Sequence, residues 1–105
     1  MNWKNNDEQK LVAAFLSLKT IGETRAFLRD LMTEDEIKEF SNRLKAAQML
    51  SKKIPYSSIV KTTGLSSTTV ARVSKWLNGP LGGYKIVLNR IHRHNRSSRE
   101  EIGGG

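Results

Sequence analysis

The chain has 105 residues and no cysteine, so one domain is expected and disulfides and thiolate metal sites are excluded. The formal net charge is +8, the pI is about 10.1, and no apolar run approaches the roughly 20 residues that a membrane-spanning helix needs. The opening MNWKNNDEQK is too polar for a secretory signal, and the expectation is a soluble cytoplasmic protein.

The first helix is predicted to start after Asn6 or Asp7, either of which can accept bonds from the free N–H groups of a helix start. Leu11, Phe15 and Leu18 then share one face. TIGE interrupts, and a second helix over about Glu23 to Leu31 places Phe27, Leu28 and Leu31 together. A third follows MTEDEIKEF, where Thr33 and Glu36 have the spacing of a capping box and Glu34, Asp35 and Glu36 complement the positive helix end. Its buried stripe is Ile37, Phe40, Leu44, Ala47 and Leu50. Pro55 redirects the chain, a short helix runs from about Tyr56 to Thr63, and a longer one from about Ser67 to Leu77. NGPLGG at 78–83 is a loop, and Tyr84 to about His92 forms a last helix with Tyr84, Val87, Leu88 and Ile91 on one side. The remainder, 93–105, is polar and basic and reads as a flexible tail. The fold class is all-α, with about six helices in a domain over 1–92 and no convincing strand.

Charge is distributed unevenly. Residues 1–40 hold six Lys/Arg and eight Asp/Glu, and residues 41–105 hold twelve and two. No acidic residue occurs between Ser41 and Ser98. A field of one sign attracts polyanions, and nucleic acid is the common partner of such a basic domain.

The stretch at about 56–77 has the form of a helix-turn-helix. Gly64 stands where the chain leaves the first helix, and glycine accepts the positive φ needed there. Leu65 plugs the turn, Ser66 or Ser67 caps the second helix, Val70 and Val73 face inward, and Trp76 or Leu77 closes the stripe. The cluster SSTT is thus at a helix N-terminus, where serine and threonine are favoured. In this motif that end enters the DNA major groove. Ser66, Ser67, Thr68 and Thr69 are short enough to approach base edges, Arg72 and Lys75 reach a guanine edge or phosphates, and Lys61 reaches a phosphate. An ordinary pair of core helices with serine caps is the plainer alternative.

Three stretches, LMTEDEIKEFSNRLKAAQML, SIVKTTGLSSTTVARVSKWL and the short helix after the glycine-rich loop, resemble the tryptophan-repressor family from about Leu11 to Ile91. The resemblance implies an intertwined homodimer, joined through its N-terminal helices, that places two reading heads on successive turns of double-stranded DNA. It also implies an effector pocket at Thr33, Arg43 and Arg72, the positions that match the family's threonine and two arginines. Two departures argue against tryptophan as that effector. The family's glycine beside the second arginine is Val73, and the serine three positions later is Trp76, whose indole is expected to plug the space from within. Another small molecule stays open. Otherwise Arg43 and Arg72 serve as phosphate contacts, surface charges or carboxylate clamps.

No cofactor or metal is expected: His92 and His94 lack a third ligand, and no nucleophile, base and orienting acid stand together, so the chain is not expected to be an enzyme. The function expected is a dimeric, sequence-specific transcriptional regulator of the repressor type. The alternative is a non-enzymatic helical assembly or partner-binding module that binds nucleic acid without sequence choice.

Overall fold

The computed structural model describes residues 3–92, and the tail expected at 93–105, with His94, lies outside the described residues. These residues form six helices and no strand, as expected, and divide into two compact units, 1–37 and 38–105.

The first unit contains α1 (Asn6–Ser17), α2 (Ile21–Leu31) and the first turn of α3 (Glu34–Ser51). The cap of α1 is Asn5, one residue earlier than expected. Its backbone is extended and its side-chain oxygen accepts the Asp7 N–H at 2.8 Å, while Asp7 and Glu8 face the positive helix end. α2 begins two residues before the expected Glu23. Thr20 caps it, accepting the Glu23 N–H at 3.1 Å, and the Glu23 carboxylate accepts the Lys19 N–H at 2.9 Å. TIGE is therefore a helix start, with the same threonine-to-glutamate spacing as Thr33 and Glu36. The Phe15 and Phe27 rings meet edge to face at 5.3 Å. Even so, neither α1 nor α2 has a buried residue.

At the head of α3 the capping box forms as expected. The Glu36 N–H donates to the Thr33 hydroxyl at 3.1 Å, and the Thr33 N–H donates to the Glu36 carboxylate at 3.0 Å. Those bonds from Thr33 hold the Glu36 carboxyl below its ordinary value.

The second unit holds the rest of α3, then α4 (Tyr56–Thr63), α5 (Ser67–Leu77) and α6 over 83–92. Its core is Ala46, Ala47, Ile59, Leu65, Val70 and Val73, with Leu50, Ile54, Tyr84 and Leu88 packed around it. The buried stripe of α3 is centred on the two alanines. Phe40, expected within it, is exposed. Alanine lacks a long side chain and lets other helices of this unit come close. Ile59, Val70 and Val73 are fully buried, each contributing about 1.5–3 kcal/mol by transfer from water.

α3 ends in a Schellman turn: the Ile54 N–H donates to the Met49 carbonyl at 3.1 Å and the Lys53 N–H to the Leu50 carbonyl at 2.9 Å. The left-handed residue that such a turn requires is Lys53, at φ 60°. Glycine is the usual occupant because it has no Cβ to clash there.

Candidate nucleic-acid interface

α4 and α5 pack on each other and are joined by a turn of three residues, Gly64 to Ser66. Gly64 takes φ 74° and its N–H donates to the Val60 carbonyl at 2.9 Å. Leu65 is buried, as the turn's plug should be. Thr63, more polar than its buried position suggests, is satisfied locally. Its hydroxyl donates to the Ile59 carbonyl at 2.7 Å and accepts the Leu65 N–H at 3.2 Å. The hydroxyl thus ties the end of α4 to the turn and leaves no unpaired polar group of its own.

Ser66, not Ser67, is the cap of α5. Its oxygen accepts the Thr69 N–H at 3.1 Å, and its hydroxyl donates to the Thr69 hydroxyl oxygen at 3.0 Å. The four residues expected to act alike therefore divide. Ser66 and Thr69 are engaged with each other, and Thr69 is half-buried. Ser67 and Thr68 are exposed in the first turn of the helix. Along α5, Thr68, Ala71, Arg72 and Lys75 are exposed while Val70, Val73 and Leu77 are buried, so one face is held in the core and the other is free to lie in a groove. Ala71 is not singled out by sequence, since a small apolar residue carries no signal of its own. Here it keeps the exposed face low between Thr68 and Arg72. Lys61 is exposed in the last turn of α4.

From 41 to 92 no carboxylate side chain is present, so none of these cations has an acidic partner within that stretch. Glu39, just before it, pairs with Arg43 at 3.5 Å.

The three residues of the expected effector pocket are placed as follows. Thr33 lies in the first unit with its hydroxyl committed to the cap of α3. Arg43 bridges to Glu39, holds its guanidinium carbon 5.6 Å from the centre of the Phe40 ring, and has a buried Nε with no hydrogen-bond partner among the described residues. Arg72 is exposed on α5. Burial pushes the Tyr84 phenol up, and the positive charge of Arg43 opposes that shift.

Trp76 does not plug the core. It is 47% exposed, whereas its neighbour Leu77 is 5% exposed and takes the inward position. Trp76 instead forms a wall of an apolar recess of about 450 Å³, with Leu44, Leu81, Tyr84 and Val87. The side chains of this wall leave it almost without polar groups.

No helix among the described residues is long and apolar enough to cross a membrane, and no cluster of three potential metal ligands occurs among them.

Comparison with known proteins agrees with this geometry. The chain is 34% identical over 88 residues to the uncharacterized protein YerC of Bacillus subtilis (strain 168), covering 84% of this chain and 85% of that one. The crystal structure of a TrpR like protein from Eubacterium eligens ATCC 27750 superposes with a TM-score of 0.79 at 36% identity, over 86% of this chain and 93% of that one. A crystal structure from Staphylococcus aureus gives the same TM-score, 0.79, at 29% identity over 88% of this chain and 95% of its own. Residues 6–92, which carry every helix from α1 to α6, match the model of the Trp repressor protein family. A helix-turn-helix with a capped, hydroxyl-rich second helix, set on an acid-free stretch of chain, is what a family of DNA-binding regulators would present, and the chain belongs to the Trp repressor family.

Proposed function

We propose that the protein is a sequence-specific DNA-binding transcriptional repressor that acts as a homodimer and needs no tryptophan. The observation that carries the reading is the exposed face of α5: Ser67, Thr68, Arg72 and Lys75 stand free at and beyond a capped N-terminus, on a stretch of chain without a carboxylate. Hydroxyls and methyls at that position read base edges, and the cations hold phosphates.

Dimerisation is supported by the N-terminal unit. Leu11, Val12, Phe15, Leu16 and Ile21 are all exposed, and neither α1 nor α2 has a fully buried residue. An apolar set of this extent is stable in water when a second copy covers it. Two-fold symmetry also suits a palindromic site, since one head makes few contacts.

Independence from tryptophan is supported by Trp76 and Thr33. Where the family has a serine, Trp76 presents an indole that offers no hydrogen-bond acceptor to an amino group, and the Thr33 hydroxyl is committed to the cap of α3. Titration calorimetry of the dimer with L-tryptophan is expected to give no binding heat. Saturable heat at micromolar ligand would overturn this part of the reading.

The main test is selection of bound sites from a random duplex pool, followed by competition of the selected site against random duplex at a stated salt concentration. A preference of about 10³ or more marks a specific regulator. Equal binding to both would instead favour an assembly module that coats nucleic acid without sequence choice.

A further inference from the structure

A second surface of the second unit gathers three lysines around one groove. The end of α3, the start of α4, the end of α5 and α6 enclose a groove of about 1090 Å³. Its lining includes the apolar residues Leu50, Ile54, Leu77 and Leu88. Lys52 and Lys53, from the turn after α3, and Lys85, from α6, line it as well, and all three are exposed. Tyr56, at the start of α4, adds a phenol, and among the described residues no carboxylate lines the groove. Two adjacent lysines of the turn and a third from α6, far away in sequence, thus line one groove, where their like charges repel one another. Lys53 moreover holds the left-handed position of the Schellman turn, φ 60°, which glycine would take freely.

We propose that this groove holds the sugar-phosphate backbone of DNA flanking the site read by α5. The inference rests on the DNA-binding reading above. The groove, at about 1090 Å³, is at the upper end of small-molecule pocket sizes, and its cations are on the solvent side, as a continuous strand requires. Lysine and tyrosine are side chains that bind phosphate oxygens without regard to sequence, and apolar walls suit the sugars between them. The location fits too. In a helix-turn-helix the first helix crosses the backbone while the second enters the major groove. Here the start of that first helix, at Tyr56, is part of the groove lining. The groove therefore lengthens the footprint and adds affinity but no sequence choice.

The test uses the full chain and two duplexes carrying the selected site, one trimmed to the site and one with about ten arbitrary base pairs on each side, a helical turn apiece. Affinities are measured by fluorescence anisotropy over a salt series. Wild type is expected to bind the extended duplex at least tenfold more tightly. The Lys52→Ala/Lys85→Ala double variant should lose that gain and keep the preference for the site. Its salt slope on the extended duplex should be shallower by about 0.9 for each phosphate no longer neutralised, or between three and four for a dimer. Lys52→Arg/Lys85→Arg should retain the gain, and matching circular-dichroism melts exclude misfolding. A double variant that loses affinity equally on both duplexes would show a general field without direct binding of the flanks, overturning the proposal. Wild type that binds the site without any gain from the flanks overturns it too, and leaves the DNA reading standing. Failure of wild type to bind any duplex overturns both.

Discussion

Among single residues, the two threonines of SSTT have different work. Thr68 is exposed and Thr69 shares its hydroxyl with Ser66. Thr68→Ala is expected to cost about 1–3 kcal/mol on the selected site and little on random duplex, with an unchanged melting midpoint. Thr69→Ala should also lower the midpoint, since it removes a hydrogen bond worth about 0.5–1.5 kcal/mol beside the cap. Lys61→Ala should weaken both duplexes alike and reduce the salt slope by about one. If Thr68→Ala lost as much on random as on selected DNA, α5 would not be the reading helix. Glu36 gives a pH dependence of known sign. Its folded pKa lies below the ordinary 4.5, so its stabilising effect is full above that value and fades as pH falls through the folded one. Melting midpoints followed from about pH 6 to pH 3 should fall more for wild type than for Glu36→Gln. Parallel profiles would remove this role.

Among the helices, caps decide where each begins and ends. The start of α3 was legible in the sequence because Thr33 and Glu36 announce it, and the structure shows the same arrangement at Thr20 and Glu23. The end of α3 is the exception to local rules. A lysine in the left-handed region costs about 1–2 kcal/mol relative to glycine. Lys53→Gly is thus expected to stabilise the fold by about 1 kcal/mol in urea denaturation while weakening binding to extended duplex. Both signs matter: the stability gain reports the strained turn, and the loss of affinity reports the groove. A variant less stable than wild type would mean that the side chain supports the fold in some other way.

For the molecule as a whole, the proposed function assigns dimerisation to the apolar N-terminal unit and DNA binding to the basic stretch after it. Sedimentation at micromolar concentration should give about twice the 11.8 kDa chain mass. Leu16 is 81% exposed in the single chain, a position where glutamate should be harmless to a monomer. Leu16→Glu is nevertheless expected to shift the sedimenting species toward monomer and to weaken binding to a palindromic site more than to half of it. A dimer of wild-type strength in that variant would place the interface elsewhere.

Features that depend on neighbours in the chain were legible in the sequence. Gly64 with its flanking apolar spacing marked the helix-turn-helix, and the absence of acid between Ser41 and Ser98 marked the stretch that carries the positive charge. The fold class followed from helical periodicity and caps. Where local rules treat two residues as equal, packing made the choice. Trp76 and Leu77 lie three and four positions after Val73, and either spacing returns to the buried face of a helix. Packing against the core selected Leu77 and left the indole on the recess wall. The same holds for the groove: Lys52 and Lys85 are far apart in the chain, and no pattern in sequence relates them. They line one groove because α3 and α6 pack on a shared core in which Ala46, Ala47, Tyr84 and Leu88 take part.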